Sequence, residues 1–266
     1  MNRKGGIFMR VLVIKGKTLV KGAVTVLFVV CAVLLGVWLS GMTADTGTPT
    51  AAGVPVSPIY RVDTDERKLA LILECCTTDD TELSYMLDLL DNAGVKASFF
   101  FTGEFAAQFQ DDVALVQSHG HEVYQMTDCE DTMEGLDRDA AVTRIRTGEK
   151  QVSAAAPLTG KVLALPKGWF SSEVLEAAHS LGYTPIRYTV SLQSIYSQNS
   201  AVFSENLSPY IVNGAIIRHG TDVPTPTVTL NEVLSNIKDR GYEIVPLGQL
   251  LYEDGRVDAE GVQHKG

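Results

Sequence analysis

Several chemistries are excluded by what the chain lacks. Only four of its 266 residues are cysteine and five are histidine. No CxxC occurs, which removes the zinc ribbon and the thioredoxin-type motif. Neither HxxH nor HExxH is present, and no glycine-rich phosphate loop follows a predicted strand. No internal repeat is found, so solenoid and propeller architectures are unsupported. Basic residues are scarce over most of the length. The first 21 residues hold six of the 22 (Arg3, Lys4, Arg10, Lys15, Lys17 and Lys21) and no acid. The rest carries all 32 acidic residues, a balance that argues against nucleic acid and against tight contact with anionic headgroups.

The uncharged run from Gly22 to Met42 is long enough to cross a bilayer, which takes about 20 residues. Basic residues precede it and Asp45 follows, so the positive-inside rule places the N-terminus in the cytoplasm and the remainder outside. A cleaved signal peptide is the alternative. The run exceeds the usual apolar core of such a peptide, and Met42-Thr43-Ala44 is a poor cleavage site. The expected organisation is therefore a basic cytoplasmic tail over 1–21, a transmembrane anchor over 22–42 and a stalk rich in Thr, Ala, Gly and Pro over 43–57. A globular domain follows over 58–251, then a polar, fraying tail over 252–266. Cys31 falls in the apolar run; Cys75, Cys76 and Cys129 fall in the exported part, where disulfides persist.

Within 58–251 strands and helices alternate. Leu69–Glu74 is a short apolar run rich in branched side chains, which reads as a buried strand. A helix over Asp80–Gly94 follows, with Asp79 or Asp80 as cap, Leu83, Met86, Leu87 and Leu90 as one stripe, and Gly94 as terminator. The pattern continues with a strand at Val95–Thr102, a helix at Glu104–Gly120, a strand at His121–Gln125 and a helix at Arg138–Ala155. Next come a strand at Lys161–Leu165, a helix at Ser172–Gly182 capped by Ser171, and strands at Pro185–Val190 and Gly214–Arg218. A helix at Thr229–Gly241 and a strand at Tyr242–Val245 complete it. Repeated strand–helix units imply an α/β fold with a parallel sheet, and their number favours a (β/α) barrel. Functional groups in such a barrel gather at the C-terminal strand ends. Those ends present Glu74 with Cys75, Gln125 through Glu130, Pro166-Lys167-Gly168, Thr189 through Ser194, and His219.

The order and spacing of these segments resemble the polysaccharide deacetylases with a NodB homology domain, of the carbohydrate esterase 4 type, over residues 58–251. Pro58-Ile-Tyr-Arg-Val-Asp-Thr-Asp-Glu-Arg-Lys-Leu-Ala-Leu71 looks like the opening segment of the sporulation-associated bacterial subgroup. Ala97-Ser-Phe-Phe-Phe-Thr-Gly103 is similar to the family's second strand and Gly120-His-Glu-Val-Tyr124 to its third. Gly182-Tyr183 and Gly241-Tyr-Glu-Ile-Val-Pro-Leu247 also match family habits.

The resemblance implies a distorted barrel and metal-assisted hydrolysis of N-acetyl groups on glycans. In the family one Asp is the base, an Asp and two His hold a divalent metal, and a later His is the general acid. Carried onto this chain, the base falls at Glu74 and the metal ligands at Cys75, Met126 and Glu130. The Arg that orients the base falls at Ala164, with Pro166 and Gly168 retained. The Asp of the fourth motif falls within Thr189–Ser194, where no acid exists, and the general acid falls at His219. That last match needs one residue fewer after Gly214 than the family pattern.

The expected site is thus Glu74 and His219 as remaining catalytic candidates, with Pro166, Trp169 and Tyr188 on the substrate. Phe170 and Tyr196 are further aromatic candidates, for stacking on sugar or for packing. No metal cofactor is expected; Zn, Co or Mn would be needed if activity persists. Met126 reads as apolar filling, because a thioether does not replace imidazole on such an ion. The resemblance brings the first and third motifs together. That allows a disulfide from Cys129 to Cys75 or Cys76, a soft metal site from Cys75, Cys129 and Glu130, or free thiols. Asp128, Glu130 and Asp131 form either a solvated acidic loop or an oxygen-donor cation site. The expected function is a membrane-anchored, extracytoplasmic deacetylase-like protein that is catalytically degenerate and binds cell-wall glycan or an envelope protein. The alternatives are a hydrolase with a rearranged metal site and a structural factor of a spore or division envelope.

Overall fold

The computed structural model describes residues 57–76, 81–127, 133, 135–165, 170–220 and 227–266. The expected anchor, stalk and basic tail lie outside them, as do Pro166, Trp169, the acidic loop and Cys129. Among the described residues no helix is long and apolar enough to cross a membrane.

The elements run β1 (Arg61–Val62), β2 (Lys68–Cys75), α1 (Thr81–Ala93), β3 (Ser98–Phe101), α2 (Gly103–Gln108), α3 (Gln110–Ser118), β4 (Glu122–Met126) and α4 (Arg138–Ala155). Then follow β5 (Val162–Ala164), α5 (Ser172–Ser180), β6 (Thr184–Ile186), β7 (Val190–Ser191), α6 (Leu192–Ile195), α7 (Ser200–Leu207) and a 3-10 turn at Ser208–Tyr210. The chain ends with β8 (Ile216–Gly220), α8 (Thr227–Asp239), β9 (Glu243–Val245), α9 (Leu247–Leu250), β10 (Arg256–Val257) and β11 (Val262–His264).

The main sheet is parallel and ordered β6-β5-β4-β3-β2-β8-β7, with β9 wedged against the start of β2. It curls into an incomplete barrel. The expected single strand Pro185–Val190 is instead two short ones: β6 pairs with β5 at one edge, and β7 pairs with β8 at the other. The stretch before β1 fills the gap between them. Ile59 N–H donates to Pro185 O at 3.0 Å, and Arg187 N–H donates to Ile59 O at 2.7 Å. Val62 N–H bonds Gly214 O at 2.9 Å. Gly214 has φ of 71°, and a Cβ there would lie 1.7 Å from Val62 O, so only glycine fits this closure.

Strand alternation sorts the apolar residues into two layers. Leu69, Leu71, Leu73 and Cys75 of β2 face the helices, among Leu83, Met86, Leu87 and Leu90 of α1. Ala70 and Ile72 face the barrel interior with Phe100, Tyr124, Met126, Ala164, Ile186 and Ile216. Because β2 is covered on both faces, its run is apolar at almost every position.

The helix caps follow the sequence. Asp137 accepts from Ala140 N–H at 2.8 Å, and Ser171 accepts from Val174 N–H at 3.4 Å. The expected helix Glu104–Gly120 is two helices, broken at Phe109 (φ −122°, ψ 56°). Phe109 packs on Phe105 with ring centroids 5.0 Å apart, an i,i+4 contact kept across the break. The expectation of a fraying tail is also corrected. Residues 252–266 contribute β10 and β11, which join β1 in a second, three-stranded sheet. The tail is held by Gln263, which is 4% exposed. Its amide exchanges hydrogen bonds with Tyr252 N–H at 3.0 Å and Tyr252 O at 2.9 Å. Sparse apolar periodicity concealed this, because one buried amide and two carboxylates around His264 do the holding.

Candidate functional site

The C-terminal ends of β2, β7 and β8 meet at the barrel mouth. Glu74 follows Ile72 on the inward face, and Arg218 follows Ile216 on the same face of the adjacent strand. Register places Ile72 opposite Arg218 and Glu74 opposite Gly220, so the two charged side chains are diagonal neighbours. They form an ion pair through Arg218 Nε and Glu74 Oε2, with the side chains 1% and 4% exposed. Arg218 Nη1 also donates to Ser191 Oγ at 3.1 Å. Its guanidinium carbon lies 5.5 Å from the ring centre of Tyr188, and Arg187 approaches the same ring at 5.1 Å. Arg187 further donates to Leu165 O at 3.4 Å and lies 6.0 Å from the Phe170 ring.

This arrangement alters the roles expected of individual residues. Glu74 is engaged by a guanidinium and withdrawn from solvent. The cation beside it comes from β8, not from the Ala164 position on β5, whose methyl group simply fills the interior. Arg218 was not singled out in the sequence; the signal was the residue missing after Gly214, which moves the inward position from His219 to Arg218. His219 instead shares the face of Ile217, toward the helices. It is 2% exposed, and among the described residues neither ring nitrogen has a hydrogen-bond partner. Burial, and secondarily the charge of Arg218, depresses its pKa to about 4. A buried neutral imidazole facing away from the mouth is not placed to protonate a leaving group.

The remaining candidates separate. Cys75 is a free, buried thiol on the helix-facing side, and burial followed by the Glu74 charge pushes its pKa up, away from the thiolate a metal requires. Cys76 is disulfide-bonded, which leaves Cys75 outside the pairing anticipated for Cys129. Met126 is apolar filling in the interior cluster. Gln125 is fully buried behind the sheet. It donates to Ile145 O at 2.7 Å and accepts from Tyr183 Oη at 2.9 Å, so it fastens α4 to β4. Tyr196 packs on Phe203 at 6.4 Å. Tyr188 alone of the three expected substrate contacts is both described and at the mouth.

A divalent metal does not fit the described donors. Of the three ligand positions, one is a protonated thiol turned away, one is a thioether, and Glu130 lies outside the described residues. Among the described residues no group of three His, Cys, Asp or Glu side chains is placed to hold a metal ion.

Comparison with known proteins accords with this geometry. The family model for polysaccharide deacetylase matches residues 61–186. YlxY of Bacillus subtilis (strain 168) is 25% identical over 197 residues, covering 74% of this chain and 61% of that protein. A 30.6 kDa protein of Geobacillus stearothermophilus is 25% identical over 174 residues, 64% of this chain and 66% of its own length. The chain thus spans less than two thirds of these curated relatives. Among solved structures, wild-type BA3943 from Bacillus anthracis, a CE4 family pseudoenzyme, superposes with a TM-score of 0.67 at 23% identity. That match covers 80% of this chain and 74% of BA3943. The chitin deacetylase of Colletotrichum lindemuthianum superposes with a TM-score of 0.63 at 20% identity, covering 75% and 93%. Likeness at these identities establishes the shared fold.

Proposed function

We propose that this protein, whose residues 61–186 match the family model for polysaccharide deacetylase, holds a carbohydrate chain of the cell envelope at the barrel mouth without hydrolysing it. The observation that carries the reading is the buried Glu74–Arg218 pair. A general base must reach the proton it abstracts, and a metal-activated water needs a cation with open positions. Here the carboxylate at the base position is already bound to an internal cation, and the thiol and thioether at two ligand positions are unsuited to a hard or borderline ion. BA3943, described as a pseudoenzyme, shows that this fold is kept without its activity in at least one neighbour. In this reading residues 22–42 anchor the chain and the globular part lies outside the membrane. The charge asymmetry around the apolar run supports that orientation.

The test is two measurements on the full chain in detergent. Chitotetraose binding is followed by titration calorimetry, and acetate release is followed with Zn, Co or Mn supplied. Saturable binding without acetate release supports the proposal. Metal-dependent acetate release abolished by Glu74→Gln overturns it, and absence of binding transfers the function to a protein partner.

A further inference from the structure

A second site lies on the outer side of the molecule, along α4. A groove of about 660 Å³ runs between α4 and the α2–α3 pair, lined by Gln110, Thr143, Arg146, Thr147, Lys150 and Gln151 among others. Its lining carries two cations and no carboxylate, in a chain whose formal net charge is −10. Arg146 and Lys150 stand four residues apart, hence on one helix face. Both are exposed, and among the described residues neither is in an ion pair. The groove adjoins a smaller cavity of about 130 Å³ that shares Thr147 and Gln151 and reaches Thr102, Glu104, Thr127 and Arg144.

An independent observation lies at the inner end. Thr127 is 8% exposed, lines the smaller cavity, and its hydroxyl has no hydrogen-bond partner among the described residues. A buried hydroxyl without a partner is costly, and a bound ligand would relieve that cost. The walls are fixed by a close helix crossing: a Cβ on Gly103 would lie 2.9 Å from Gly148 Cα, and one on Gly148 would lie 2.6 Å from Gln125 Nε2.

We propose that this compound groove binds an acidic saccharide unit. Its hydroxyl-bearing part enters the inner cavity against Thr127, Gln151 and the Glu104 carboxylate; its anionic group lies in the outer groove on Arg146 and Lys150. The division follows from charge. The inner cavity carries one carboxylate and one cation, Glu104 and Arg144, and offers acceptors and donors to sugar hydroxyls at no net charge, while the outer groove carries two cations and no carboxylate and so attracts the anion. The guanidinium suits a planar carboxylate or a phosphate equally, so the ligand's acid is one of these two. The site is separate from the barrel mouth and does not rest on the reading given for it.

Titration of the full chain with trigalacturonate, glucose 6-phosphate and neutral chitotetraose tests this. At least one acidic probe is expected to bind, at least tenfold more weakly after Arg146→Ser/Lys150→Ser and more weakly as salt rises. Thr127→Val is expected to weaken the same probe severalfold without changing the salt dependence. Which probe binds identifies carboxylate or phosphate as the acid. Failure of both acidic probes to bind folded protein overturns the proposal, as does binding unaffected by the double substitution. Chitotetraose lost on Arg146→Ser/Lys150→Ser as readily as the acids also overturns it.

Discussion

Arg218 lies with its Nε on the carboxylate of Glu74, one strand away and on the same inward face, and both side chains are buried. In the distantly similar deacetylases the resemblance places a catalytic base at the Glu74 position and a divalent ion beside it. Here a fixed side-chain cation takes up the negative charge, and Ser191 and Tyr188 hold that cation in turn.

Breaking the pair from one side should be costly. Arg218→Met leaves a buried carboxylate without its cation and is expected to lower stability by about 3–5 kcal/mol. The double substitution Glu74→Met/Arg218→Met should recover most of that loss, since two apolar groups need no compensation. Urea unfolding of the two variants and wild type decides it; a double variant as unstable as the single one would mean that the pair organises more than its own charges.

His219 should be dispensable in a way no general acid is. Among the described residues neither nitrogen of its ring has a partner, and the layer around it is apolar. His219→Leu is therefore expected to be neutral or slightly stabilising at pH 7 in thermal unfolding. A fall of more than about 2 kcal/mol would reveal a polar partner that the geometry does not contain.

Acid should destabilise the fold before carboxylates are protonated. Burial holds both His121 and His219 at about 4, below the ordinary value of 6.5. The folded state binds fewer protons, so their contribution is complete above about pH 6.5 and is lost as pH falls toward 4. Each accounts for about 3 kcal/mol at most across that window. Asp91, held at about 2 by Lys96 and then His119, adds acid sensitivity only at lower pH. Urea midpoints from pH 7 to 4 should fall, and His219→Leu should flatten the slope.

The tail should respond with the opposite sign. His264 lies 2.8 Å from Asp258 and 2.9 Å from Asp63, and these carboxylates, Asp258 first, raise its pKa. That contribution is present below about pH 6.5 and fades as pH rises through the raised value. Hydrogen exchange at β11, compared with His264→Ala, should show protection lost with rising pH in the wild type alone. Deleting residues 252–266 should cost at least about 2 kcal/mol, the worth of one buried apolar side chain, because Tyr252 and Val257 pack on the interior cluster.

Glycine substitutions should separate close approach from backbone conformation. Gly94→Ala meets nothing within 4 Å and pays only for its φ of 64°, roughly 1 kcal/mol. Gly214→Ala has a similar φ and also collides with Val62 O, so its loss should be clearly larger and accompanied by opening of β1. Equal losses in thermal unfolding would mean that β1 yields freely.

Much of the architecture was legible in the chain because its signals are local. Ser171 caps the helix whose start it marked, and the apolar run of β2 follows from burial on both faces. The break at Phe109 was not legible, since no proline or glycine marks it between Glu104 and His119. The sheet formed by the tail was hidden because Gln263 and His264 hold it through partners up to 201 residues distant.

The site divides in the same way. The sequence by itself determined which residue types stand where the resemblance puts the motifs: a glutamate at the base position, a cysteine and a methionine at two ligand positions, an alanine at that of the orienting arginine. Residue type fixes ligand chemistry without reference to position in space. Only the tertiary structure decided that Arg218 and not His219 points inward. In a strand each residue faces opposite to the last, so the register of β8 against β2, set by closure at Gly214 and β1, determines which of two adjacent side chains meets Glu74.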